Sequence, residues 1–230
     1  MQIYLLAQIL LDLSHEQLSA IIHLWHGNGL KLAATGTHFG FVYQGNPTLS
    51  AQLGSYQLHP GMYFCLPASG YLEADHSCGI IITALNYCGV FSLGGPIETV
   101  GRFAYIDGGT TSLLIPPLML GDPCLHALYF PRDRTQTMHT HPSYRIGMIV
   151  DGSGEAETSE GIFALQPGTV FIIPAHSPHK FRTTQDNLTL VVFHPDSDTG
   201  FTQRHHLMLN QTFVEGVSAS QLPQIQTSLG

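Results

Sequence analysis

The segment Met138-His139-Thr140-His141-Pro142-Ser143-Tyr144-Arg145-Ile146-Gly147-Met148-Ile149-Val150-Asp151-Gly152 sets two alternating histidines ahead of an apolar run that ends on a glycine. On an extended chain, residues two apart point to the same face, about 6.6 Å apart at ~3.3 Å rise per residue. Such a pair aims two imidazoles at one point, and a third histidine from a neighbouring strand would complete a metal-binding set. His179 stands 38 residues after His141 and offers that third ring. In a chain with 14 histidines a single His-x-His is a weak signal. The glycines and prolines around it carry more information.

Those turn residues occur twice. Gly45 and Gly152, Gly61 and Gly168, and Pro67 and Pro174 are each 107 residues apart. Gly40 pairs with Gly147, Gly54 with Gly161, Leu58 with Leu165, Pro60 with Pro167, Phe64 with Phe171 and Ala68 with Ala175 at the same offset. Glycine and proline set turns and strand ends, where φ is unusual or fixed, so their recurrence without a gap marks a duplicated unit. The repeat also bears on Ser14-His15-Glu16-Gln17, which resembles a helix capping box before Leu18, Ile21 and Ile22. The repeat lays that region on the alternating segment Cys124-Leu125-His126-Ala127-Leu128-Tyr129-Phe130, and a strand is expected over Gln17 to Trp25.

Composition agrees with an all-β chain. There are 24 glycines and 14 prolines, 10% charged and 43% hydrophobic residues, which suits short strands joined by tight turns. The net charge of −8 with eight Lys and Arg argues against nucleic acid, which needs clustered cations. Cys65, Cys78, Cys88 and Cys124 lack Cys-x-x-Cys spacing; Cys65 and Cys124 lie in apolar runs and read as reduced core residues of a cytoplasmic chain. Met1 to Leu13 is apolar, too short to span a bilayer, and expected as an ordered edge segment, so no membrane role is assigned. The expected organisation is an N-terminal unit over residues 1–104, a linker over 105–123, a C-terminal unit over 124–200 and a tail over 201–230. Leu113-Leu114-Ile115 in the linker should pack between the halves. Leu207, Leu209 and Phe213 in the tail should cover a barrel or a partner subunit, with the last dozen residues frayed.

The residues around the histidines resemble the cupin family of small jelly-roll β-barrels. Its first motif is matched by His139, His141 and Gly152, with Arg145 standing where the family places a glutamate. Its second is matched by Gly168, Pro174 and His179, with His176 for the inner glycine and Thr183 for the asparagine. With the repeat, the resemblance implies a bicupin, two jelly-roll barrels in tandem, and a homodimer. It implies one divalent transition metal per chain, held by His139, His141 and His179. In the first copy the ligand places project onto Leu32, Ala34 and Leu72, with His38 at the glutamate place, so no metal is expected there.

Three neutral imidazoles suit iron, nickel, copper or zinc, and leave positions open on the metal. The resemblance to three-histidine cupin dioxygenases favours Fe(II), with zinc, nickel or manganese as alternatives. Arg145 shares strand parity with His139 and His141. It pairs with an acid such as Asp151 or Glu155, grips an acidic substrate bidentately, or faces solvent behind Pro142. Tyr144 and His176 complete the candidate substrate-binding set, His176 as an outer donor or proton shuttle. The leading expectation is an iron-dependent dioxygenase acting on a small acidic molecule. The alternatives are a redox-neutral metal-dependent isomerase or lyase, and a non-catalytic ligand-binding or sensory cupin.

Overall fold

Two large sheets and two four-stranded sheets, with a two-stranded hairpin of Phe213–Val214 and Val217–Ser218 in the tail, organise residues 1–7, 9–74, 76–202 and 206–227, which the computed structural model describes. A six-stranded sheet runs Ser92–Gly94, Tyr63–Leu66, Thr37–Gln44, Cys78–Ala84, Ala20–His26, Ile9–Leu13. It encloses a core with a four-stranded sheet of Leu30–Leu32, Gly70–Glu73, Thr48–Ala51 and Gly54–Gln57, built on Trp25, Leu32, Val42, Leu49, Phe64 and Leu72. The second half repeats this plan. A seven-stranded sheet runs Gln2–Leu5, Thr169–Ile173, Arg145–Gly152, Leu188–His194, Cys124–Phe130, Thr110–Ile115, Phe103–Ala104. Its partner sheet holds Arg134–Thr135, His179–Thr183, Gly154–Thr158 and Gly161–Leu165, around a core that includes Leu128, Phe130, Phe171, Phe181 and Leu190.

The two large sheets pack on each other through a third core, in which Ile22, Phe39, Phe41 and Ile80 meet Leu125, Ile146, Met148 and Phe193. This explains why Cys78–Ala84 is apolar at nearly every position, with all seven residues buried. Ile81 faces its own unit while Ile80 and Ile82 face the other half, so alternation is lost where both faces are covered. Phe39 and Phe193 meet edge to face across the junction at 5.1 Å between ring centres.

Matching glycines do matching work in the two halves. Gly45 and Gly152 have φ of 83° and 78°, Gly61 and Gly168 of 82° and 83°, Gly54 and Gly161 of 139° and 140°. A Cβ on Gly40 would lie 2.1 Å from the Phe64 ring, and one on Gly147 would lie 2.2 Å from the Phe171 ring. The offset of 107 therefore describes equivalent positions through the centre of the repeat. It drifts outside that window: the equivalent strands that start at Ala20 and Cys124 are 104 apart, and those starting at Cys78 and Leu188 are 110 apart.

Several expectations are corrected by this arrangement. Met1 to Leu13 splits, with Gln2–Leu5 pairing with Thr169–Ile173 of the C-terminal unit and Ile9–Leu13 pairing with Ala20–His26 of the N-terminal unit. The boundary after residue 104 and the linker over 105–123 do not hold as drawn, because Phe103–Ala104 and Thr110–Ile115 are strands of the seven-stranded sheet. The reason is visible in the sequence: Leu114 and Ile115 reach the central core, and an apolar run buried there needs its backbone paired. The strand reading of the N-terminal region holds from Ala20, with Ser14 and His15 in a turn. In the tail, Phe213 is exposed, the Leu207 side chain lies outside the described residues, and short 3-10 turns at Ala219–Gln221 and Pro223–Ile225 follow. No helix among the described residues is long and apolar enough to cross a membrane.

Candidate metal centre in the C-terminal unit

Of the three expected ligands, only His179 lies in a regular strand. His139 is joined to it by an isolated antiparallel bridge, each backbone N–H donating to the other's carbonyl at 3.0 Å. His141 lies beyond that bridge, its carbonyl accepting from the His176 N–H at 2.8 Å. The histidine pair thus sits on an extended connection rather than on the strand that begins at Arg145. Pro142, which cannot donate to a ladder, falls at the break.

The three rings converge. His139 and His179 are 4.5 Å apart between centres, and His141 is 5.0 Å from each. One nitrogen from each of the three lies within 4.8 Å of the others. The outer nitrogens are engaged: His139 Nδ1 donates to the Thr137 carbonyl at 2.8 Å and His179 Nδ1 to the Ser177 carbonyl at 2.9 Å. A carbonyl can only accept, so both rings carry their proton on Nδ1 and leave the Nε2 lone pair free. That is the usual orientation of metal-binding histidines. Burial pushes His141 down to about 3 and His179 down to about 4, with Arg145 adding to both, so these rings are neutral at physiological pH.

The rings open on a cavity of about 250 Å³ with an apolar floor of Leu128, Phe171, Ile173, Phe181 and Val192. Arg145 lines this cavity and is buried. Its Nη1 donates to the Ser143 carbonyl at 3.2 Å, to Ser143 Oγ at 2.5 Å and to the Tyr144 carbonyl at 2.9 Å. The acid beside it is Asp196, at 3.6 Å, which also accepts from Ser143 Oγ. Neither acid expected for this role serves: Glu155 pairs with Arg182, and Asp151 is exposed at the far end of the strand. Arg145 Nε is buried with no partner among the described residues.

Two expected substrate contacts lie elsewhere. Tyr144 points into the junction between halves, where its hydroxyl donates to the Leu18 carbonyl at 2.5 Å, because its neighbour Arg145 takes the cavity face and alternation sends Tyr144 the other way. His176 is exposed in a turn with φ of 58°, outside the cavity lining. Conversely, Tyr105, Thr111, Gln136, His126 and His194 line the cavity without having been singled out. His126 and His194 carried a usable signal: Cys124-x-His126 repeats the alternation of His139-x-His141. Burial holds His126 near 4 and His194 well below its ordinary value, with Arg145 contributing to both.

The first unit is built differently at the corresponding place. At the offset of 107 His139 projects onto Leu32; there Leu72 pairs with Leu30, and Leu32 pairs with Gly70. A Cβ on Gly70 would lie 2.8 Å from the Leu66 side chain and 3.0 Å from the Ser50 carbonyl. His38 is buried with both ring nitrogens engaged, at 2.8 Å from Thr83 Oγ1 and 2.9 Å from the Ala33 carbonyl.

Residues 120–213 match the family described as the AraC-like ligand binding domain, which spans less than half of the chain. No curated protein matches the sequence. Among solved structures, a cupin 2 conserved barrel domain protein from Leptotrichia buccalis is similar at 14% identity and a TM-score of 0.60, over 84% of this chain and 88% of that one. Protein Ylba from E. coli is similar at 17% identity and 0.61, over 80% and 78%. A salicylate 1,2-dioxygenase from Pseudaminobacter salicylatoxidans is similar at 11% identity and 0.58, over 76% and 70%. The fold is that of the cupins, present twice in tandem.

Proposed function

We propose that this two-unit cupin binds one iron(II) ion through His139, His141 and His179 and acts on a small acidic molecule as a dioxygenase. The observation that carries the reading is that Arg145 lines the same cavity as three imidazoles with converging nitrogens. Three neutral ligands leave the dication its full charge, which favours an anionic chelating partner. A bound iron would supply a Lewis-acid site and one-electron chemistry toward oxygen. The rest falls to the chain. Arg145, which lines the cavity, would hold a carboxylate in charge-assisted hydrogen bonds. The Phe171, Phe181 and Val192 floor would pack against the carbon skeleton and keep water out.

The similarity to a salicylate dioxygenase supports an aromatic acid as the substrate class. The match to a ligand-binding domain supports a second reading, in which the same cavity binds an acid without turnover. One experiment separates them. Protein loaded anaerobically with Fe(II) is mixed with salicylate or gentisate, and both oxygen uptake and calorimetric binding are recorded. Oxygen consumed in proportion to acid supports the dioxygenase. Binding without oxygen uptake supports the non-catalytic reading, and neither response overturns both.

A further inference from the structure

Cys124, His126 and His194 form a second group of metal-ligating side chains on the wall of the same unit. Cys124 and His126 alternate on one strand and His194 lies directly opposite Cys124 on the next, so all three project from one face of the seven-stranded sheet. Leu128 and Phe130 continue that face into the core of the C-terminal unit. One donor atom from each lies within 4.8 Å of the others. Cys124 Sγ and His126 Nε2 are 3.5 Å apart, and the His126 and His194 rings are 4.7 Å apart between centres.

We propose that Cys124, His126 and His194 hold a second metal ion, of the soft or borderline kind that thiolate and imidazole select, such as zinc or cuprous copper. The separation fits. A tetrahedral ion with a sulfur at about 2.3 Å and a nitrogen at about 2.0–2.1 Å would place those atoms roughly 3.5 Å apart. The tautomer fits as well. Thr111 Oγ1 donates to the Ala127 carbonyl at 2.9 Å, so at 3.3 Å it accepts from His126 Nδ1–H, which leaves the Nε2 lone pair aimed at Cys124. This is the same outer-nitrogen arrangement found at His139 and His179. Burial also fits: Cys124 is 3% exposed, while His126 and His194 open on the cavity, which gives an ion a way in. In the absence of metal a thiol proton shared with His126 fills the same gap. A divalent ion exchanging for that proton leaves one net positive charge beside Arg145, and cuprous copper leaves none. The site stands apart from the three-histidine reading, since it shares no ligand with it.

The test uses the full chain carrying Cys88→Ser, which removes the exposed thiol, together with His139→Ala and His141→Ala. Metal-free protein is titrated anaerobically with Co(II) and, separately, with Cu(I) held in a competing chelator. The expected result is one equivalent of either ion, with a thiolate-to-metal charge-transfer band for Co(II). Adding Cys124→Ser should abolish the band and lower affinity at least tenfold. Where Cys124→Ser fails to give a folded protein by circular dichroism, His126→Gln, which keeps the sulfur, should weaken binding to a similar degree. No thiolate signal with either ion, or a signal that survives both replacements, overturns the proposal. Because the first site is already disabled, its failure and that of the three-histidine centre are read independently.

Discussion

Replacing Arg145 by glutamine separates its part in the fold from its part in ligand recognition. The guanidinium lies 3.6 Å from Asp196 and donates three hydrogen bonds from Nη1. At that distance the gross attraction is about 4–5 kcal/mol for an effective dielectric of ~20. Burial opposes it and lowers the Arg145 pKa despite Asp196. The net cost to stability should therefore be modest, about 1–2 kcal/mol, much of it from leaving Asp196 and two carbonyls short of a donor. Acid binding should suffer more. Hydrogen bonds to a charged group contribute about 1.5–3 kcal/mol, which converts to a roughly 10–150-fold rise in Kd. Iron content should stay at the parent level, since Arg145 is not a ligand. Calorimetric titration of iron-loaded parent and Arg145→Gln with salicylate reads the affinity, and urea denaturation reads the stability. Unchanged salicylate affinity with a full loss of stability would refute the reasoning and leave Arg145 a structural residue.

Three further outcomes are expected. The buried imidazoles of His38 and His179 and the half-buried ones of His126, His141 and His194 are neutral in the fold and take up protons on unfolding below about 6.5. Stability of the metal-free protein should thus be complete above that pH and fall steadily as pH drops toward 4, with a urea midpoint clearly lower at pH 5 than at pH 7.5; equal midpoints would contradict this. Phe39→Ala opens the junction between the large sheets and should cost about 3–5 kcal/mol in chemical denaturation, whereas a loss below 1 kcal/mol would mean the halves are not held by that core. Gly40→Ala and Gly147→Ala drive a methyl into buried Phe64 and Phe171, and each should cost at least ~1–3 kcal/mol; a loss in only one of them would argue against equivalent packing in the two halves.

Much of this was legible in the sequence because glycine and proline report backbone geometry directly. Gly45 and Gly152 share a conformation that side chains rarely adopt, so their spacing disclosed the duplication. The three converging histidines were legible for a similar reason, since strand parity and one bridge suffice to gather them. Partners set by long-range packing were not. Nothing local distinguishes Asp196 from Asp151 or Glu155 as the acid beside Arg145; the choice depends on the chain leaving the strand after His194 and passing Ser143. Tyr144 was legible by the same parity: Arg145 shares the face of His139 and His141, so Tyr144 turns to the opposite face, where it packs in the junction between the halves. The N-terminal segment gave no sign that it divides between two sheets, because an apolar edge strand fits either edge until both exist.

The central claim is that His139, His141 and His179 together hold iron. Its most direct test is anaerobic Fe(II) titration of Cys124→Ser protein, in which the neighbouring sulfur is removed, beside the same protein with His139→Ala and His141→Ala. The account predicts one equivalent bound in the first and none in the second, with circular dichroism unchanged. Iron held by the second protein with the affinity of the first would contradict it.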